Sequence, residues 1–350
     1  MNPAQSWATR LPIRGADISS LKKSEEKGGI YLDEHGHPAD ALDILRAHGL
    51  NYARLRVWVR SPDGYHGKTQ LLEMAKRLQQ REMSLLVDFH YADTWADPGK
   101  QPKPKDWEGL DFTGLKQAVY NHTREICAAL CLQGTPPAMV QVGNEITNGM
   151  LWPDGKNEQG FEHLAALLQA GIAAVREVTP ETRVMLHLDN GGNNRLYRWW
   201  FDNILAQGVT FDLIGVSYYP YWHGTLTDLQ NNLNDLALRY EKEIVVVETA
   251  YPFTSEDRDG CENVITHQQQ PGYPFSPAGQ AAMLSDIIHI VRAVPNRRGL
   301  GVLWWDATWI AVPGNGWDPS DPHSGNNWEN QALFDYEGKP LPAMSVLGKA

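Results

Sequence analysis

The sequence predicts a single closed (β/α)8 barrel, on three observations. Eight short apolar or alternating runs recur along the chain, segments of helical periodicity separate them, and polar residues close each run. The first run, IRGADIS from Ile13, ends at Asp17. YARLRVWV from Tyr52 carries Arg56 near its end, a helix is predicted at 69–80, and SLLVDFHY from Ser84 closes on Asp88 and His90. A second helix at 112–132 leads into AMVQVGNEI from Ala138, which ends with Asn144 and Glu145. After a helix at 161–178 come RVMLHLDN from Arg183, closing on His187 and Asp189, and LIGVSYYP from Leu213, closing on Tyr219. A helix at 226–240 precedes EIVVVETAYP from Glu243, which carries Glu248. The last predicted helix, 277–294, precedes GLGVLWWDA from Gly299, with Trp305 and Asp306.

Runs such as SLLV and IVVV are apolar at every position, as expected of parallel strands covered on both faces. Eight such units favour a closed barrel over an open doubly wound sheet. No GxGxxG or GxxxxGK[ST] follows any run, which removes the usual nucleotide-binding motifs. No linker, low-complexity stretch or long repeat divides the chain, so one domain over residues 1–350 is the simplest organisation. One polar residue at a strand end is commonly a cap. Eight strands that all end this way point to the catalytic face of a barrel.

Composition excludes several function classes. The 350 residues hold 31 Lys and Arg against 42 Asp and Glu, a net charge of −11, which disfavours nucleic-acid and anionic-membrane partners. No stretch reaches the roughly 18 consecutive apolar residues of a membrane span, and MNPAQSWATR lacks the basic-then-apolar plan of a signal peptide. Three cysteines cannot form a disulfide framework, and Cys127 and Cys131 in EICAALCL read as buried helix thiols. Without a sustained heptad pattern the chain reads as a monomer. The 13 Trp and 13 Tyr suit stacking on sugars, although a large core uses the same residues.

Glu145 and Glu248 each follow an apolar strand, where burial raises a carboxyl pKa and neighbours lower it again. Glycoside hydrolysis needs two such carboxyls, one protonated to donate to the leaving oxygen and one ionised to attack or to activate water. Their separation of 103 positions is no obstacle, because a closed barrel brings distant strand ends face to face. The competing structural reading places one glutamate in an ion-pair layer with Arg54 or Arg56.

Five longer stretches sharpen this reading: DFHYADTWADPGKQ at 88–101, QVGNEITNGMLWPDG at 141–155, GVSYYPYW at 215–222, VVVETAYP at 245–252 and ENQALFD at 329–335. Together they resemble the arabinogalactan endo-β-1,4-galactanases of glycoside hydrolase family 53, within the clan of retaining (β/α)8 glycosidases. The resemblance implies Glu145 as acid/base, Glu248 as nucleophile, and Asn144 as partner of the sugar 2-hydroxyl. It further implies that Arg56 and Tyr219 hold Glu248 ionised, while Tyr218 faces away and packs. His90 with Asp88, and His187 with Asp189, would line the sugar sites, and Trp305 would form the floor at the reacting ring. Trp95, Trp152, Trp222 and Trp317 are further candidates for stacking.

This chain departs from the family pattern twice. Where relatives usually read Tyr/Trp-Trp-Glu-Pro-Ala-Trp after strand 8, it has Trp304-Trp305-Asp306-Ala307-Thr308-Trp309. In the loop after strand 7, bacterial relatives often carry a calcium-binding Asp-x-Asp-x-His-x-Asn run, and here Cys261 stands at the histidine position. The resemblance then implies a structural Ca²⁺ held by Asp257, Asp259 and Asn263, completed by Asn326 and Glu329, with no cofactor needed for the chemistry. Three rival readings stand beside it: another β-1,4-glycanase of the clan acting on mannan, cellulose or xylan, a barrel that binds galactan without cutting it, and a metal-dependent hydrolase using His90 and His187. A polymeric substrate cannot cross a membrane, so a secreted or periplasmic location is expected.

Overall fold

In the computed structural model, which describes residues 10–350, parallel pairing passes from strand to strand around a closed circuit. The strands are β1 (Ile13–Asp17), β2 (Tyr52–Val57), β3 (Ser84–Phe89), β4 (Met139–Val142), β5 (Arg183–Leu188), β6 (Leu213–Ser217), β7 (Glu243–Glu248) and β8 (Gly299–Trp304). They lie in sequence order, and β8 closes on β1 through pairs such as Ala16 with Trp304. All eight predicted runs are therefore strands of one barrel. Residues 1–9, which include most of the segment read as lacking a signal-peptide plan, lie outside the described residues.

The helices that follow the strands are α1 (Ala41–Ala47), α2 (Lys68–Gln79), α3 (Phe112–Leu132), α4 (Glu162–Val178), α5 (Asn194–Ala206), α6 (Leu226–Tyr240), α7 (Pro277–Arg292) and α8 (Pro342–Gly348). Each hides one stripe: α2 buries Leu71, Met74, Ala75 and Leu78, at the spacing that keeps one face of a 3.6-residue helix inward. Side-chain caps satisfy the first free N–H groups of several helices, as with Asp40 on α1, Asp111 on α3 and a Thr225–Asp228 capping box on α6. Helices α1, α5 and α8 have no counterpart among the predicted segments. Helix α5 buries Tyr197, Trp200, Phe201 and Ile204 at helical spacing, behind a Gly191-Gly192-Asn193 run that has the composition of a loop. Cys127 is buried in α3, whereas Cys131, one turn on, is only half-buried.

Two apolar layers hold the barrel. The larger lies between strands and helices, and a smaller plug of Ile13, Leu86, Met139, Met185, Leu213, Val245, Val247, Leu300 and Leu303 fills the interior. Above the plug, the inward positions turn polar at the C-terminal ends of the strands, and this leaves a lined mouth on that face. Among the described residues no helix is long and apolar enough to cross a membrane.

Candidate active site

Gly143 ends β4 with φ +92°, and a Cβ there would sit 2.6 Å from Ile146. This left-handed step suits glycine and swings the following residues over the mouth. Glu145 itself has φ +46°, a conformation unusual for its residue type. It is held there by a 3₁₀ turn over Ile146–Asn148, and its N–H donates to His187 Nδ1 at 3.3 Å. Glu248 ends β7 on the opposite side. A shift in pairing between Val216 and Ser217 sets Ser217 across from it.

The two carboxylates and the His187 ring bring one ligand-type atom each within 4.8 Å of one another. Both glutamates line a cleft of about 430 Å³, walled by His90, Trp95, Asn144, Asp189, Tyr219, Trp222, Trp305, Trp309, Trp317 and Trp328 among others. Burial pushes the Glu145 carboxyl well above the usual range, and the negative charges of Glu248 and Asp189 push it the same way. Burial also raises Glu248, but there the Arg54 guanidinium and the Tyr219 hydroxyl oppose it. Tyr219 donates to Glu248 Oε2 at 2.8 Å, and Arg54 Nη1 lies 2.7 Å from Oε1. Glu248 is still shifted upward on balance, with Asp88 adding to burial, but less than Glu145, so Glu145 is the more readily protonated of the two.

The ion-pair partner of Glu248 is Arg54, which corrects the role expected of Arg56. Arg54 reaches up from inside the barrel to Asp17, Asp88 (2.7 Å), Asn144 Oδ1 (2.9 Å) and Glu248. Arg56 lies one layer higher but is drawn aside by Asp306, whose Oδ2 accepts from both of its terminal nitrogens at 2.9 and 2.8 Å. It does not line the main cleft. Glu248 is therefore an ion-pair member that also faces the cleft.

Asp88 and His187 are also displaced from their expected positions. Side chains two residues apart point the same way on a strand, so the lower member of each pair is covered by the upper. Asp88 is fully buried beneath His90, accepting from Arg54, from Gln141 Nε2 at 3.1 Å and from His90 Nε2 at 3.1 Å. His187 is fully buried next to Asp189; it accepts at Nδ1 from Gln141 and from the Glu145 N–H, and donates from Nε2 to Ser217 Oγ at 2.8 Å. Burial drives its pKa down, so it is a neutral strut. With both ring nitrogens engaged it offers no lone pair to a metal, and His90 is committed through Trp58, Ala96 and Asp88. This geometry speaks against the metal-dependent hydrolase.

Asn144 lines the cleft with one amide hydrogen given to the Ala96 carbonyl and the other available to a sugar. Asp189 lines it too, holding Thr147 and Asn190. Tyr218 packs outward and donates to the Gly224 carbonyl. Trp95, Trp222, Trp305 and Trp317 face the cleft, whereas Trp152 lies outside it under Lys156. Sequence reasoning missed Trp309, Trp328, Asn327, His223, Asp97 and Lys100 in the cleft wall. The crowding of Trp304, Trp305, Trp309, Trp317 and Trp328 into the last part of the chain was an available signal.

The loops after β7 and β8 meet beside the cleft, and there Asp257, Asp259 and Glu329 bring carboxylate oxygens within 4.8 Å of one another. Glu329 Oε2 and Asn263 Oδ1 are buried without a hydrogen-bond partner, and burial pushes Glu329 up to about 7. An all-oxygen set with orphaned acceptors fits a hard cation such as Ca²⁺. Asn326 departs from the expected ligand set. Its Oδ1 accepts from the Trp328 N–H, its Nδ2 donates to the Trp309 carbonyl, and its own N–H holds Asp259, so it clasps the two loops together.

Comparison with known proteins places the whole barrel. The model of glycosyl hydrolase family 53 matches residues 13–347. The endo-β-1,4-galactanase of Bacillus subtilis is 35% identical, over 95% of this chain and 85% of its own, and the arabinogalactan endo-β-1,4-galactanase of Thermothelomyces thermophilus is 34% identical, over 96% and 98%. The solved catalytic domain of a family 53 hydrolase from Ignisphaera aggregans superposes with a TM-score of 0.93 at 40% identity, over 99% of this chain and 98% of that one. With the match spanning β1 to α8 and two opposed glutamates in an aromatic cleft, the chain belongs to glycosyl hydrolase family 53.

Proposed function

We propose that the chain is a retaining endo-β-1,4-galactanase that cuts pectic galactan or type I arabinogalactan outside the cell or in the periplasm. The observation that carries this reading is the approach of the two carboxylates, whose nearest oxygens lie within 4.8 Å. Retaining glycosidases keep their carboxyls about 5–5.5 Å apart, and inverting ones about 6.5–9.5 Å to admit a water. The galactan specificity is supported by the names of the relatives and by the long matched stretches.

In the proposed course, Glu248 attacks C1 of the sugar while Glu145 protonates the departing oxygen. Glu145, now ionised, removes a proton from water, which displaces Glu248 and gives the β-anomer back. Asn144 hydrogen-bonds the 2-hydroxyl more strongly as the ring flattens and charge develops. The aromatic cleft holds several sugar rings by stacking, and a cation held by Asp257, Asp259 and Glu329 would fasten the loop after β7 to the loop after β8, which carries Trp309, Trp317 and Trp328.

The test is reducing-sugar release from linear β-1,4-galactan, with carboxymethylcellulose, galactomannan and xylan alongside, and NMR of the first product formed. Oligosaccharides of mixed length from galactan, first seen as the β-anomer, support both parts. Activity on another polymer would move the chain to a different glycanase specificity, and an initial α-anomer would reject retention. A folded protein inactive on all four would favour galactan binding without cleavage.

A further inference from the structure

Beneath the cleft floor lies a charged pair that the chemistry above does not use. Arg56 and Asp306 are 3% and 0% exposed, and neither reaches the main cleft. Both terminal nitrogens of Arg56 donate to one oxygen, Asp306 Oδ2, and Asp17 lies further off at 3.9 Å. The guanidinium carbon sits 4.3 Å from the centroid of the Trp95 ring and 5.7 Å from that of Trp305. Those two rings do face the cleft, 6.1 Å apart, and Trp309 stacks on Trp95 at 6.0 Å.

A buried ion pair is a poor way to gain stability, since desolvating two charges offsets most of their attraction. A guanidinium under an indole face has a directional effect, because the ring quadrupole attracts the cation only over its face. Trp95 therefore has one orientation that satisfies Arg56 on one side and the cleft on the other. Its Nε1–H, donated to the Trp317 carbonyl at 2.7 Å, fixes the remaining rotation. Behind Trp95 a second cavity of only about 10 Å³, lined by Ser20, Arg56 and His66 among others, is no larger than one water, so the ring is closely backed on that side.

We propose that Arg56 and Asp306 are positioning residues for the sugar-binding floor: Asp306 aims Arg56, Arg56 holds Trp95, and Trp95 braces Trp305. The pair sets how firmly the sugar chain seats and leaves bond cleavage to Glu145 and Glu248. This inference rests on the reading of the cleft as a galactan-cleaving site.

The experiment compares Arg56→Lys, Asp306→Asn and Asp306→Glu with the wild type. It measures kcat and KM on galactan, and acrylamide quenching of tryptophan fluorescence without sugar. A cation–π contact is worth from about 0.5 kcal/mol when exposed to about 2 kcal/mol when desolvated, so Arg56→Lys and Asp306→Asn are expected to raise KM about two- to thirtyfold. Their kcat should stay within about threefold and their quenching should increase, while Asp306→Glu, which keeps the charge, should restore both KM and quenching. Unchanged KM and quenching in folded variants would overturn the proposal, as would a fall in kcat at constant KM. Failure of both Arg56→Lys and Asp306→Asn to fold would overturn it in favour of a purely structural pair. If the wild type releases nothing from galactan, the specificity reading fails by itself, and quenching still decides the positioning role.

Discussion

Arg54 Nη1 lies 2.7 Å from Glu248 Oε1, and the same guanidinium holds Asp88 and Asn144 Oδ1 through its other nitrogen. One planar fork therefore orients the proposed nucleophile and the amide beside the acid. A lysine has the charge but not the fixed fork. Arg54→Lys is expected to lower kcat by about a hundredfold or more, the loss of one or two charge-assisted hydrogen bonds. It should also raise the Glu248 pKa, moving the acidic limb of the kcat/KM profile to higher pH. A variant with wild-type kcat and an unmoved limb would refute the role.

Tyr219→Phe isolates the second support of Glu248. The lost hydrogen bond to a carboxylate is worth about 1.5–3 kcal/mol, so turnover should fall about ten- to hundredfold with KM little changed. The acidic limb should shift in the same direction as for Arg54→Lys, by less, because Arg54 remains.

The two glutamates should share one proton. In the proposed course Glu145 carries it for the first step, and its pKa is raised by burial, by Glu248 and by Asp189. Activity should therefore fall as pH rises through the Glu145 pKa and fall again as pH drops through that of Glu248. Glu248→Gln removes a negative neighbour, so the Glu145 carboxyl, followed by ¹³C NMR, should titrate at lower pH than in the wild type. An upward shift would show that the two groups do not interact as the geometry requires.

Chemical rescue separates the proposed roles. Glu248→Ala should abolish turnover, and azide should restore it with formation of an α-galactosyl azide. Glu145→Ala should retain activity on aryl galactosides with good leaving groups, which need no acid. Equal loss on good and poor leaving groups would reject Glu145 as the acid.

The loop site makes its own prediction. Calcium should raise the melting temperature of the chelator-treated protein, and Glu329→Gln should abolish that rise, because it removes a buried carboxylate from the oxygen set. Asn326→Ala should lower stability with and without calcium, as expected of a clasp.

The barrel was legible because each strand announces itself: IVVV and SLLV are apolar at every position, and the polar residues that close the runs lie where chemistry gathers. Glu145, Glu248, Asn144 and Tyr219 stood out for the same reason. Arg54 and Arg56 were harder to separate. They share a face of β2, and the position of Asp306, in the turn just after β8 across the closure, decides which of them reaches Glu248. His187 and Asp88 looked like cleft residues because strand-end position does not reveal depth. Trp309 and Trp328 sit on loops without a period, so no pattern placed them.

Glu145 occupies the cleft on a backbone twisted to φ +46°. Glycine and asparagine tolerate that twist better than glutamate does, by a margin of about 1 kcal/mol or more. With Glu145 in its proposed acid/base role, heat tolerance and turnover select opposite residues at this one codon. A library screened for survival at high temperature alone would accumulate barrels that are sturdier and inert, so any programme to toughen this enzyme must assay sugar release in every round.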